Sequence, residues 1–468
     1  METPLKGLYD RLPAMLQNLA VTGFSAVLDR QRYGGEFKNF RRFLDESQWF
    51  SEQDLQDYQT RQLRRLISYA YEHVPYYRQL MNRHGVSPSD INSLDDLSKI
   101  PVLTKEIIRS EFDALLSDEF DLASVKRGNT SGTTGSPLEV CYDDQMIRMN
   151  YAMLDRQYLW ADTKLGKFGD RVAVIRGNVI VPLGQQKPPF WRINYLHRQM
   201  LLSSFHLSKK NLKAYVAALR KFKPRVIDGY PSTLYVLAKY LRNIGEKLPI
   251  HAVLSSSETL YDFQRETIES SFACKVFDYF GAAERVLFAT ECDAHMGHHI
   301  CSEYGYTEIL DRDLQPVSPG VEGTLVATSL HNFAMPLIRY VTNDVTALKK
   351  ERCACGRNLP LMEDVTTKAE DSLTLPDGRI ISPSVLTHPF KPITTIEESQ
   401  IIQEAADFVL VKVVPGADYT THDEALLKHG LEDRLGRDVT VRIESVDSLE
   451  RTKSGKFKWV ISNVTLGI

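Results

Sequence analysis

Nine residues, Asn129-Thr-Ser-Gly-Thr-Thr-Gly-Ser-Pro137, hold five hydroxyl side chains and two glycines. Gly132 and Gly135 let backbone N–H groups converge on one point, and Thr130, Ser131, Thr133 and Thr134 add donors around it. A nest of this kind suits the oxygens of a polyphosphate. It lacks the Lys-Ser/Thr ending of a P-loop and the spacing of a dinucleotide fingerprint. Alone, a polar hairpin turn is the lesser alternative. Far along the chain, Arg451-Thr-Lys-Ser-Gly-Lys456 offers cations on a second loop.

A second group of reactive side chains lies between these loops. Cys292 and His298/His299 precede Cys353-Ala-Cys355-Gly, so two separated segments offer soft ligands. Cys292, His299, Cys353 and Cys355 make a Cys₃His inventory for tetrahedral zinc, with every position filled by protein and hence structural. Buried structural thiols are the alternative, and Cys141, Cys274 and Cys301 read as such.

These groups must be positioned by the surrounding elements. The first hundred residues read as helical, with Leu63, Leu66, Ile67 and Ala70 on one face of Gln56–Tyr71 until Val74-Pro75 interrupts. Thr104 caps a further helix. Strands at 125–128 and 138–142 flank the hydroxyl loop. Runs at 171–175, 225–229, 251–257 and 275–281 then alternate with helices at 211–222, 233–244 and 263–271. This rhythm predicts an α/β fold, a largely parallel sheet with helices on its faces. Strands at 306–310, 323–329 and 337–341 follow. After a polar linker near 366–371, strands at 408–414 and 440–446 around a helix at 424–435 predict a small α+β domain. The expected division is a large multi-sheet domain, 1–366, and a small mobile one, 371–468.

Bulk properties narrow the class. The chain has 468 residues, is 43% hydrophobic and carries a formal charge of −3, with no basic stripe for nucleic acid. No run is long enough to span a bilayer and no cleavable signal is seen, so reduced thiols in the cytoplasm are expected. Gly7–Leu28 is amphipathic but interrupted by Asp10, Arg11 and Pro13. It reads as a surface helix packed on its own domain, with peripheral membrane contact as the alternative. No Gly-x-Ser-x-Gly elbow supports a serine hydrolase.

With Thr130–Pro137 and Arg451–Lys456, four further motifs stand in order: Ser255-Ser-Ser-Glu258, Asp278-Tyr-Phe-Gly-Ala-Ala-Glu284, Gly323–Ser329 and Pro336–Asp344. Together they resemble the acyl-adenylate-forming enzymes, most of all the phenylacetate–CoA ligase branch and its capsule-biosynthesis (CapK-like) relatives. The N-terminal Tyr69–Tyr77 stretch adds to this. The resemblance implies ATP-dependent activation of a small carboxylic acid through acyl-AMP, then transfer to coenzyme A. It implies phosphate contacts from Thr130, Ser131, Gly132, Thr133, Thr134 and Gly135, and nucleotide contacts from Ser256, Glu258, Tyr279, Phe280, Gly281, Asp344 and Lys368. Phe280 would face the adenine, Asp344 would accept from the ribose hydroxyls, and Glu284 would hold Mg²⁺. Lys456 would offset charge as pyrophosphate leaves, with a hinge near Asp371. Phe205, His206 and Tyr230 are the expected acid pocket.

Two departures bear on these expectations. Ala283 stands where the family usually has Ser or Thr, and Thr367-Lys368 stands where it usually has Gly-Arg, which keeps charge without bidentate geometry. Two alternatives follow: an amine acceptor giving an amide in surface-polysaccharide biosynthesis, and a catalytically weakened nucleotide-binding relative. A homodimer is compatible with the sequence, which identifies neither the acid nor the acceptor.

Overall fold

The structure, a computed structural model, describes residues 4–121, 123–129, 138–311, 313–365, 373–449 apart from 378, 382, 391 and 394, and 459–464. The hydroxyl loop 130–137, the linker 366–372 and the loop 450–458 lie outside these residues.

The N-terminal part is helical, as the periodicity predicts: α1 (Pro4–Arg11), α2 (Ala14–Tyr33), α3 (Phe37–Ser47) and α4 (Glu52–His73). Ser51 caps α4 in a capping box with Asp54. Leu63, Leu66, Ile67 and Ala70 are fully buried on its inner face. The next helix, Pro75–His84, starts on the proline that ends α4, because the missing N–H is no loss at a first helical position. A short helix, Lys105–Ser110, follows the Thr104 cap.

Strands β1 (Lys126–Asn129) and β2 (Glu139–Tyr142) form an antiparallel pair. Then follow β3 (Val172–Arg176), β4 (Trp191–Asn194), β5 (Gln199–Ser203), β6 (Val226–Gly229), β7 (Ala252–Ser256), β8 (Lys275–Gly281), β9 (Phe288–Thr290) and β10 (His298–Ile300). With β14 (Leu361–Met362) they build one nine-stranded sheet in the order β14-β10-β9-β8-β7-β6-β3-β5-β4. Its centre, β5-β3-β6-β7-β8, is parallel, with helices Leu212–Phe222, Pro231–Asn243 and Asp262–Phe272 between successive strands. Both flanks are antiparallel. The expected α/β architecture stands, but with short antiparallel edges that carry too few residues to show a period. Strands β11 (Gly305–Leu310), β12 (Gly323–Ser329) and β13 (Tyr340–Thr346) form a separate meander, and the strand expected at 337–341 begins three residues later.

Beyond the linker, a short pair β15 (Leu373–Thr374) and β16 (Ile380–Ile381) precedes β17 (Ile396–Ala405), β18 (Phe408–Pro415), β19 (Thr440–Ser445) and β20 (Val460–Ser462). The last four form a sheet in the order β19-β18-β17-β20. Helix Thr421–Leu435 buries Leu427, Leu431 and Leu435 against the core of this part. Trp459 is fully buried with its indole donating to Ser399 Oγ at 3.1 Å, which anchors the chain three residues after Lys456.

Helix α2 lies against its own domain, but with its polar side inward. Gln17 and Ser25 are buried, whereas Met15 is 72% exposed and Val27 74%. Among the described residues no helix is long and apolar enough to cross a membrane.

Candidate active site and metal cluster

Parallel strands leave a crevice at their carboxyl ends, where helix N-termini and loop residues converge. Here the ends of β7 and β8 open into a cavity walled by Ser257, Glu258, Tyr279, Phe280, Gly281 and Ala283. Glu284, Thr342, Asp344, Asp364 and Lys105 complete it. Positions scattered from 105 to 365 therefore meet at one place. Of the residues expected at the nucleotide, Glu258, Tyr279, Phe280, Gly281, Glu284 and Asp344 line this space. Ser256 is 1% exposed at the end of β7, and its neighbour Ser257, with a φ of 70°, turns onto the wall instead. Residues 130–135, Lys368, Asp371 and Lys456 lie outside the described residues.

Several contacts hold this wall in shape. Tyr279 stacks on Phe288 with centroids 4.9 Å apart. Glu258 Oε2 accepts from Ser232 N at 3.0 Å, a carboxylate at the start of helix Pro231–Asn243. Glu284 is only 6% exposed, and one of its oxygens accepts from the Tyr340 hydroxyl at 2.5 Å. Burial and the Glu284 charge push the Tyr340 hydroxyl well above its ordinary pKa, so it stays a donor. The turn behind Glu284 is pinned by Tyr142 of β2, whose hydroxyl donates to the Ala283 carbonyl. Arg285 lies over the same ring at 4.3 Å. The absent hydroxyl at Ala283 thus leaves the turn itself intact.

Three residues given no role there by the sequence, Asp278, His298 and Asp364, also line the cavity. His298 is 3% exposed, with Nε2 3.1 Å from Asp278 Oδ2 and Nδ1 3.3 Å from Asp364 Oδ1. Burial alone would lower its pKa, but the hydrogen bonds and charge of the two aspartates outweigh it and raise it to about 10. Ser255 Oγ donates to the other Asp278 oxygen at 2.5 Å. Strand alternation in β10 would have separated His298 from His299, had so short a strand been legible.

Phe205, His206 and Tyr230 do not line this cavity. Phe205 and His206 follow β5, three strands from β7, which is about 14 Å at the usual strand spacing. Phe205 is buried in the core of the C-terminal sheet, and Arg379 Nη1 donates to its carbonyl at 3.0 Å. His206 stacks on Phe190 at 4.9 Å and shares a 2.8 Å hydrogen bond with Ser203 Oγ. Burial lowers its pKa to about 4, so it is a neutral packing imidazole. Tyr230 packs beside the same C-terminal core.

On the opposite face of β10 the four expected metal ligands meet. One donor atom each from Cys292, His299, Cys353 and Cys355 lies within 4.8 Å of all the others. Cys292 Sγ is 3.5 Å from Cys353 Sγ, and Cys355 Sγ is 3.4 Å from His299 Nε2. Bond lengths of 2.0–2.3 Å in a tetrahedron give donor separations of roughly 3.3–3.8 Å, a range that these two distances meet. His299 Nδ1 faces the Leu359 carbonyl at 3.3 Å, which orients Nε2 toward the thiols. Backbone N–H groups of Ala294 and Arg357 point at the sulfurs of Cys292 and Cys355, at 3.4 and 3.5 Å. Cys141 and Cys301 are buried and Cys274 half-buried, all without disulfides, as expected.

Comparison with known proteins bears on the chain as a whole. Residues 373–463 match the family model of the CapK C-terminal domain. Protein CapK of Staphylococcus aureus is 25% identical over 98% of this chain and 100% of its own length. The phenylacetate-coenzyme A ligase of Thermus thermophilus is 25% identical over 86% of this chain and 95% of its own. Among solved structures, 2-hydroxyisobutyryl-CoA ligase with 2-HIB-AMP and CoA superposes with a TM-score of 0.58 at 22% identity, covering 88% of this chain and 91% of that one. The chain has the fold of this CoA ligase, and along most of its length it is similar in sequence to protein CapK and to phenylacetate-coenzyme A ligases.

Proposed function

We propose that this protein activates a small carboxylic acid with ATP and passes the acyl group to coenzyme A. The observation that carries this reading is the single cavity shared by Glu258, Tyr279–Gly281, Glu284 and Asp344 at the carboxyl ends of β7 and β8. In the first step a carboxylate oxygen attacks the α-phosphorus and pyrophosphate leaves. In the second, the thiol sulfur attacks the acyl carbon, AMP leaves with the bonding pair, and the thiol proton passes to solvent.

In this scheme Asp344 accepts from the ribose hydroxyls and Phe280 gives the adenine an aromatic wall. Loop 130–135 binds the phosphates through backbone N–H groups and hydroxyls. Glu284 holds Mg²⁺, which would neutralise the polyphosphate. Its second oxygen has no protein partner among the described residues, as a ligand oxygen requires. Lys456 is carried by a small domain, 371–468, that turns about Asp371 between the two steps. The reading is tested by pyrophosphate–ATP exchange across a panel of acids. Exchange should appear only with the correct acid, and free thiol should then be consumed when coenzyme A is added. ATP binding without exchange on any acid would overturn it. Exchange with consumption of an amine and none of the thiol would move the second step to amide formation.

The Cys/His cluster is proposed to hold a structural zinc ion in a reducing cytoplasm. Elemental analysis of protein purified without chelator should give about one zinc per chain. Cys353→Ser should lose the metal and lower the unfolding midpoint. A metal-free protein with an unchanged midpoint would rule the site out.

A further inference from the structure

Helix α2 is turned inside out. Its inner side carries Gln17, Asn18, Thr22, Ser25 and Asp29, and all but Ser25 are bonded to the edge of the large sheet or the turn after it. Asn18 Oδ1 accepts from Ile193 N at 2.9 Å, and Thr22 Oγ1 from Tyr195 N at 3.1 Å. Gln17 accepts from Arg192, and Asp29 pairs with His197 at 2.9 Å. Strand β4 is the last of the sheet, so its outward N–H groups need partners, and polar helix residues supply them.

That requirement explains the inner face and leaves the outer one unexplained. At 3.6 residues per turn, Met15, Leu16, Leu19, Ala20, Gly23, Phe24, Ala26 and Val27 fill the other half of the helix. Met15 is 72% exposed, Leu19 53%, Phe24 67% and Val27 74%, with Leu8 of α1 at 61%. A helix that only capped a strand edge would present charge to water. This one presents an apolar half-cylinder about 20 Å long. No acidic residue lies on that half. Arg30 sits on it in the last turn and Arg11 precedes its start, and neither forms an ion pair among the described residues.

The arginines select the occupant. A second copy docked about a two-fold axis would set Arg30 against the partner's Arg11 if the helices ran antiparallel. A parallel pair would set Arg30 on Arg30. Both arrangements oppose like charges at the ends of the contact. An anionic bilayer accepts both features: apolar side chains sink to the acyl boundary while arginines reach up to lipid phosphates.

We propose that α1 and α2 form a peripheral membrane-binding ridge that lies in the plane of an anionic bilayer and holds the enzyme at the membrane surface.

Flotation of the full-length protein with vesicles tests this. The protein should float with 7:3 phosphatidylcholine:phosphatidylglycerol vesicles and much less with phosphatidylcholine alone. Met15→Gln/Leu19→Gln/Phe24→Gln should cut the bound fraction at least about 10-fold. Circular dichroism and the unfolding midpoint should not change, since these side chains touch little of the fold. Arg30→Gln should weaken binding to the anionic vesicles alone. The proposal fails if the wild type does not float with anionic vesicles, or if the triple variant floats equally well. It also fails if the wild type sediments as a dimer that the triple variant converts to monomer, because a second copy then covers the ridge.

Discussion

Replacing Lys456 by alanine is expected to lower acid-dependent pyrophosphate–ATP exchange by about 10²- to 10³-fold, the usual loss when one preorganised donor to a charged transition state is removed. Thioester formation from supplied acyl-AMP should stay within a few-fold of wild type. The asymmetry follows from where charge develops. In the proposed scheme Lys456 meets negative charge at the α-phosphate only while pyrophosphate departs, and in the second step the small domain would have carried it away. Glu284→Gln offers the contrast. Its carboxylate is fixed in the cavity wall by Tyr340, and in the proposed scheme it would serve every reaction of the Mg²⁺-bound nucleotide, so the substitution should raise the ATP and Mg²⁺ requirement of exchange. Equal loss of both half-reactions in Lys456→Ala would sink the rotating-domain scheme while leaving the cavity assignment standing.

The part of this site that was legible in sequence was legible for a physical reason. Strands β7 and β8 are buried on both faces, so Ala252-Val-Leu and Val276-Phe277 appear as continuous apolar runs, each ending in polar turn residues. Turns at the ends of parallel strands are where ligands bind, and the family-like motifs at Glu258 and Asp278–Glu284 stand at those ends. The Cys/His cluster is legible because few residue types make soft donors. Where side-chain partners decided the outcome, the sequence was silent. Strand β17 is ten residues long yet escaped notice, because it buries Ser399, Gln400 and Gln403. Gln403 is bonded to Thr374 and Ser462, partners far away in sequence. The same holds for α2. Periodicity tells which residues share a face, but not which face turns inward, and strand β4 made the polar face the inner one. The resemblance implies an acid pocket at Phe205 and His206, and sheet order sets these residues three strands from β7, outside the cavity described above.

Arg156→Met is expected to destabilise the fold by about 3–5 kcal/mol, the range seen when one partner of a buried ion pair is removed. Arg156, from helix Asp144–Trp160, is 1% exposed and Glu303, at the start of the meander, is fully buried. Their side chains meet through two hydrogen bonds, at 2.7 and 3.4 Å. Ser47 of α3 donates to the same carboxylate at 2.7 Å, so three elements hang on one charge. Removing the guanidinium leaves a carboxylate in a site that water does not reach, and that desolvation dominates the cost. Arg156→Met with Glu303→Leu should therefore recover much of the loss, because no charge is then stranded. Arg156 also lies 5.1 Å over the Trp160 ring, whose edge meets His299 at 5.5 Å. If the pair positions the metal cluster as well as the fold, the single variant should lose zinc at denaturant concentrations that leave its helix content intact. Urea unfolding of the four proteins in the double-mutant cycle, followed by circular dichroism and zinc release together, separates the two roles. A loss below about 1 kcal/mol in the single variant would mean that water or a neighbouring cation compensates Glu303, contrary to its complete burial here.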